Sequence, residues 1–246
     1  MKIKILIVLI ALAIPQLYSF TSVKENKKNA VEKNSALFDV YAYDVYNCLS
    51  FENQALDYEV FKKGLLGYVG LKKDKKLARK NLLTIIDYSV SSNEERLWII
   101  DLDNKKVDFN TLVAHGKNSG DECAMSFSNI PSSYQSSLGF FTTGEIYTGK
   151  HGTSLYLHGQ EEGVNDKAFE RYIVIHGADY VSESFIEENG RLGRSLGCPA
   201  IPLGVHENII YAIANSSCVF IYYPEVDYLQ ASTLLDESAI SFDDFS

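Results

Sequence analysis

The chain is poor in the residues that mark several common classes of protein. Cysteine occurs four times in 246 residues, at 48, 123, 198 and 218, and never as CxxC. That excludes a zinc ribbon and a thioredoxin-type redox pair. No HExxH occurs either, so a familiar zinc-protease signature is missing. Basic residues are in deficit, with 23 Lys plus Arg against 32 Asp plus Glu and a formal charge of −9. Such a chain has no general positive field for phosphates, which argues against a nucleic-acid partner. A single Trp stands against 16 Tyr and 13 Phe, an aromatic balance that suits half-buried pleated surfaces better than helical bundles. The 46% hydrophobic content is that of an ordinary globular protein and excludes wholesale disorder.

Long apolar runs are also scarce. One extends from Ile5 to Ile14, behind Lys2 and Lys4 and ahead of Pro15 and Ser19. It is short for a bilayer span and has the order of a secretory signal peptide. Residues 1–20 are therefore expected to direct export to the periplasm or cell envelope and be removed, leaving no stable membrane span. Residues 21–35 are polar, without an apolar face, and read as a flexible lead-in.

Ser35 as a cap, followed by Leu37, Tyr41, Val45 and Leu49 at helical spacing, predicts a first helix. Asn53 as a cap, with Leu56, Val60, Leu65 and Tyr68, predicts a second, weakened by Gly64, Gly67 and Gly70. Residues 36–80 thus form a helical N-terminal region. Beyond them the pattern shifts to short β-branched and aromatic runs: LLTIIDYSV, RLWIIDL, KKVDFN and TLVAHG. WIIDL and KKVDF read as a hairpin closed on Asp103-Asn104. Strands are also expected at 154–159, 171–177 and 218–223, and a helix at 204–214. Residues 81–224 then make one uninterrupted, mainly β unit of α+β class. The tail, 225–246, has six acidic residues and no Lys or Arg and reads as a solvated extension.

Chemistry concentrates in RLGRSLGCPAIP, residues 191–202. Gly197 permits a turn that a side chain would block, and the turn's N–H groups can support a thiolate on Cys198 or an oxyanion beside it. Upstream, RYIVIHGADY places His176 at the end of a strand with Gly177 after it. A thiol needs such a partner, because imidazole can take its proton and later deliver it to a leaving amine. A backbone oxygen such as that of Gly177 can hold the imidazole's tautomer. Arg194 has planar donors suited to a carboxylate. His115, His151 and His158 also precede glycines, a pattern that turn geometry after strands explains.

Strand-His-Gly followed by SxGC resembles the L,D-transpeptidases of bacterial cell walls, with the YkuD-like fold, and the RSxGCP form resembles their murein branch. TLVAHGKNSG (111–120), SSLGFFTTGEIYTGKHGTSLYLHG (136–159) and NDKAFERYIVIHGADYV (165–181) fit that branch as well. The resemblance spans 37–224 and implies a mixed β-sheet sandwich and an exported cysteine acyltransferase with no cofactor and no metal. Its partner would be the peptidoglycan stem peptide. Cys198 would attack the carbonyl between the L-centre of diaminopimelate and terminal D-Ala, with His176 as base. Ser195, Leu196 and Gly197 would form the oxyanion loop, and His158 and Arg194 would contact substrate. Leu196 stands where many relatives carry His or Arg. The thioester would pass to an amine of a second stem or, in an L,D-carboxypeptidase, to water. Two rivals remain at this point: a zinc hydrolase using His151, His158, His176 and Asp179, and a non-catalytic wall-binding module with Cys198 in a disulfide.

Overall fold

The structure is a computed structural model and describes residues 29–78 and 81–245. The expected signal peptide and the lead-in up to residue 28 lie outside the described residues. Helix α1 covers 29–48, so it starts before Ser35, the cap read from sequence. The Ser35 hydroxyl instead donates to the Glu237 carboxylate, while Phe38, Ala42 and Val45 are buried. Helix α2, Tyr58–Lys73, is capped by Asp57 rather than Asn53, the Asp57 carboxylate accepting from the N–H groups of Glu59 and Val60. Its glycines serve packing. A Cβ on Gly67 would collide with the Phe140 ring, and one on Gly64 would press on Ile85, so their absence lets the helix lie close on the sheet.

Eight strands form one mixed sheet. They are β1 (Leu82–Asp87), β2 (Leu97–Asp101), β3 (Lys106–Thr111), β4 (Gly139–Gly149), β5 (Gly152–Gly159), β6 (Val174–Ala178), β7 (Ala200–Pro202) and β8 (Cys218–Tyr222). Their order is β3-β2-β1-β8-β4-β5-β6-β7. The β1–β8 and β6–β7 pairs are parallel and the remaining pairs antiparallel. The expected β2–β3 hairpin is present, its Asp101 carboxylate accepting from the N–H groups of Asp103 and Asn104. One face of the central strands packs on α2, where Phe140 and Phe220 stack at 4.3 Å.

Two features carry this core to the site. The long β4–β5 hairpin pairs at its base with β8 and, after a register shift between Thr143 and Ile146, extends to a tip at Gly149–Gly152. Its outer half pairs with β6. The TLVAHG run leaves strand geometry after Thr111. Ala114 bridges to Ala200 of β7, and Gly116 to Ser195, which brings the two ends of the sheet together. Helix α3 (Glu183–Asn189) and β7 gave no clear sequence signal, whereas α4 (His206–Ile213) lies inside the expected 204–214 helix.

The acidic tail is not a solvated extension. Helix α5 (Val226–Ala231) and three 3₁₀ turns return it to the helical region, burying Tyr228, Ile240 and Phe245. Lys62 pairs with Glu237, and Lys73 with Asp244. The acidic charge that suggested solvation is matched by lysines of α2, while the tail's aromatic and aliphatic residues fill the gap between α1 and α2. Among the described residues, no helix is long and apolar enough to cross a membrane.

Candidate active site

Backbone register brings His176 to Cys198. His176 of β6 pairs with Ala200 of β7, and its N–H donates to the Pro199 carbonyl at 3.4 Å, one residue from the cysteine. Both side chains line a cavity of about 400 Å³ whose walls also include Tyr147, Lys150, His151, Arg171 and Tyr172. Cys198 is a free thiol, as are Cys48, Cys123 and buried Cys218.

The loop holding Cys198 is tightly specified. Gly197 has φ +125°, a left-handed conformation that glycine alone adopts readily, and a Cβ there would meet the Gln135 carbonyl oxygen at 2.8 Å. The Ser195 hydroxyl donates to the Cys198 carbonyl at 2.6 Å and accepts from the Gly197 N–H at 3.0 Å. That N–H is thereby committed. Among the described residues, the N–H groups of Leu196 and Cys198 have no protein partner. Ser195 is fixed in turn by donating its N–H to the His115 carbonyl at 2.9 Å.

His176 is buried, and its Nδ1 lies 3.0 Å from the Gly177 carbonyl oxygen. A carbonyl only accepts, so Nδ1 carries the proton and Nε2 keeps its lone pair. Burial lowers the imidazole pKa from 6.5; the Gly177 bond opposes this, while His151, Lys150 and His206 add to it. Burial likewise raises the Cys198 thiol above 9.0, against the Val174 backbone bond and the charges of Arg171 and Lys150. The thiol donates to the Tyr172 carbonyl at 3.5 Å, and among the described residues no hydrogen bond joins it to His176. The sequence reading paired the thiol with an imidazole able to take its proton. Burial disfavours the charged form of each group, so desolvation opposes a thiolate–imidazolium pair in the free enzyme.

The other expected site residues divide. Leu196 and Arg194 line the cavity, but Arg194 Nη1 is tied to the Asp121 carboxylate at 2.7 Å and the Gly120 carbonyl at 2.9 Å. His158 stacks on Phe169 at 4.9 Å and does not line the cavity. Two groups were missed. His151, read as a turn residue, stacks on His176 with centroids 4.3 Å apart. Arg171, which had no motif, is anchored by Ser128, Ser133, Ser137 and Gln135 and lies beside Gly197. The HG pair at 151–152 was the only available signal for the first. His115 is structural: Arg96 donates to its Nδ1 at 2.8 Å, and burial with that cation pushes its pKa down to about 4. Among the described residues, no group of three or more His, Cys, Asp and Glu side chains is placed to hold a metal ion, so the structure does not assemble the zinc set His151, His158, His176 and Asp179.

Comparison with known proteins gives the following matches. Residues 52–222 match the family model described as L,D-transpeptidase catalytic domain, YkuD_2. No curated protein matches the chain. Among solved structures, an L,D-transpeptidase from Mycobacterium smegmatis is 10% identical, with a TM-score of 0.36, over 58% of this chain and 59% of that one. The helical cell shape determining protein Pgp2 from Campylobacter jejuni is 14% identical, with a TM-score of 0.39, over 65% and 57%. The L,D-transpeptidase from Stackebrandtia nassauensis is 14% identical, with a TM-score of 0.35, over 68% of each chain. The first solved chains are thus matched over 50–59% of their own length. The family match covers more than two thirds of the sequence and includes both residues of the Cys–His pair: this chain belongs to the L,D-transpeptidase catalytic-domain family.

Proposed function

We propose that the protein is an exported cysteine acyltransferase that carries out L,D-transpeptidation on peptidoglycan stem peptides. The observation that supports this reading best is a free Cys198 and a tautomer-fixed His176 on the walls of one cavity, within the span matched by the family. The thiol proton passes to His176 Nε2 as Cys198 Sγ attacks the carbonyl preceding terminal D-Ala. An S–C bond forms, and the Cys198 N–H, without a protein partner among the described residues, stabilises the oxyanion. The C–N bond then breaks, and the imidazolium returns the proton to the leaving D-Ala amine. An amine of a second stem attacks the thioester, giving a cross-link and regenerating the thiol. Water in place of that amine gives an L,D-carboxypeptidase. The substrate lies outside the cytoplasm, consistent with an export role for residues 1–20.

The test is incubation of purified protein with disaccharide-tetrapeptides, followed by mass analysis. The expected results are an adduct of stem minus D-Ala on Cys198, lost in Cys198→Ala, and a dimer lighter by one D-Ala. Tripeptide monomer in place of dimer would assign hydrolysis. Turnover retained by Cys198→Ala would refute the mechanism.

A further inference from the structure

The protein carries a net charge of −9, yet the cavity holding Cys198 and His176 is lined by Lys150, Arg171, Arg194, His151 and His176, with no Asp or Glu. A local inversion of sign against the charge of the whole chain marks a site for an anion. The three permanent cations are not equivalent. Arg194 is paired with Asp121. Arg171 donates four of its five N–H groups to seryl and carbonyl oxygens, which holds it in place. Among the described residues, Lys150 has neither a carboxylate partner nor a hydrogen bond. It sits on the two-residue tip of the β4–β5 hairpin, between paired Gly149 and Gly152, where Gly152 supplies the left-handed turn at φ +74°. The next residue, His151, lies flat on the His176 ring at 4.3 Å, which fixes the tip against the site.

We propose that Lys150, flanked by His151, is the subsite for the carboxylate of the residue that leaves, so that the enzyme selects acyl donors with a free C-terminus. This rests on the transpeptidase reading and extends it. The argument is one of covalent reach. The leaving amine must meet His176 to be protonated, and the carboxylate of that residue is attached to the same α-carbon. With the amine at His176, the carboxylate falls among the groups flanking that imidazole, where His151 stacks on its ring and Lys150 is the cation of the adjoining hairpin tip on the same cavity wall. An ammonium there gives a charge-assisted contact to the anion. A C-terminal amide, or a stem extended by a further residue, would leave the ammonium without its anion.

Two measurements test this on the full protein. The first uses small alkylating agents and needs no substrate. Rates of Cys198 modification by iodoacetate and iodoacetamide are compared, with peptide mapping to separate Cys198 from exposed Cys48 and Cys123. Their ratio cancels any change in thiolate fraction and reports the potential felt by an incoming carboxylate. Lys150→Gln should lower the ratio about fivefold, and Lys150→Arg should restore it; a ratio unchanged in Lys150→Gln overturns the proposal. The second compares tetrapeptide donors ending in carboxylate and in carboxamide. Lys150→Gln should raise KM about tenfold for the acid and leave it unchanged for the amide; an equal change for both overturns the proposal. If wild-type protein forms no thioester with either donor, the transpeptidase reading fails, and the alkylation ratio still decides the anion site.

Discussion

Nδ1 of His176 lies 3.0 Å from the carbonyl oxygen of Gly177, the next residue in the chain. This short local contact stands where a carboxylate orients many catalytic imidazoles, and it leaves Nε2 with its lone pair without adding negative charge beside the thiol. A base held by a neutral acceptor stays weak, in line with the lowered pKa that burial gives His176, and this sets its response to pH.

Acylation should persist into mild acid. Its acid limb reports protonation of His176, whose pKa is lowered by burial, so the midpoint should lie below 6.5 in a pH–rate profile. In the free enzyme, burial holds the Cys198 thiol above 9.0. Iodoacetamide labelling of Cys198 should therefore be slow at neutral pH and still rising at pH 9. Full labelling rates at pH 7 would contradict a thiol whose pKa burial has raised.

Gly197→Ala should cost about 1–3 kcal/mol in stability from the disfavoured φ alone, since the position stands at +125°. The new Cβ also meets the Gln135 carbonyl, so the loop must move. Thioester formation should fall at least about 100-fold, more than the change in Tm alone would suggest. Acylation at the wild-type rate would show that the turn tolerates a side chain.

Arg96 is fully buried and donates to the carbonyls of Val113 and Val90 and to His115 Nδ1. Arg96→Met would leave these acceptors unpaired inside the protein, at about 3 kcal/mol or more. Because the His115 carbonyl holds the Ser195 N–H, acylation should weaken as well. Thermal unfolding and acyl-enzyme mass would report the two effects separately.

Glu161 clasps the C-terminal segment from below, accepting from the Phe140 N–H at 2.7 Å and from the hydroxyls of Tyr228 and Ser232. Glu161→Ala should release that segment before the sheet unfolds. Hydrogen exchange should quicken in 226–245 while β1 and β8 stay protected; uniform acceleration would mean that the tail and sheet unfold together.

Much of this protein was legible one residue at a time. Strands β1, β2, β3, β5, β6 and β8 announce themselves by β-branched and aromatic runs, and SxGC after strand-His-Gly marks the candidate pair, because these signals depend on neighbours within a few positions. Other features escaped for definable reasons. β7 is three residues long, too short to show a period. The tail's acidic residues look solvated until Lys62 and Lys73 are seen beside them. The glycines of α2 read as helix weakeners, although their positions are set by Phe140 and Ile85.

Sequence alone determined the class of fold and singled out Cys198 and His176 as the candidate pair, since a turn that glycine favours and a strand carrying histidine are local facts. Tertiary structure decided that His151 and His176, out of four similar His-Gly pairs, line the cavity with Cys198, and that Arg194 is paired with Asp121 while, among the described residues, Lys150 has no such partner. Those outcomes depend on strand register and desolvation. Both arise only when segments far apart in the chain exclude water from each other.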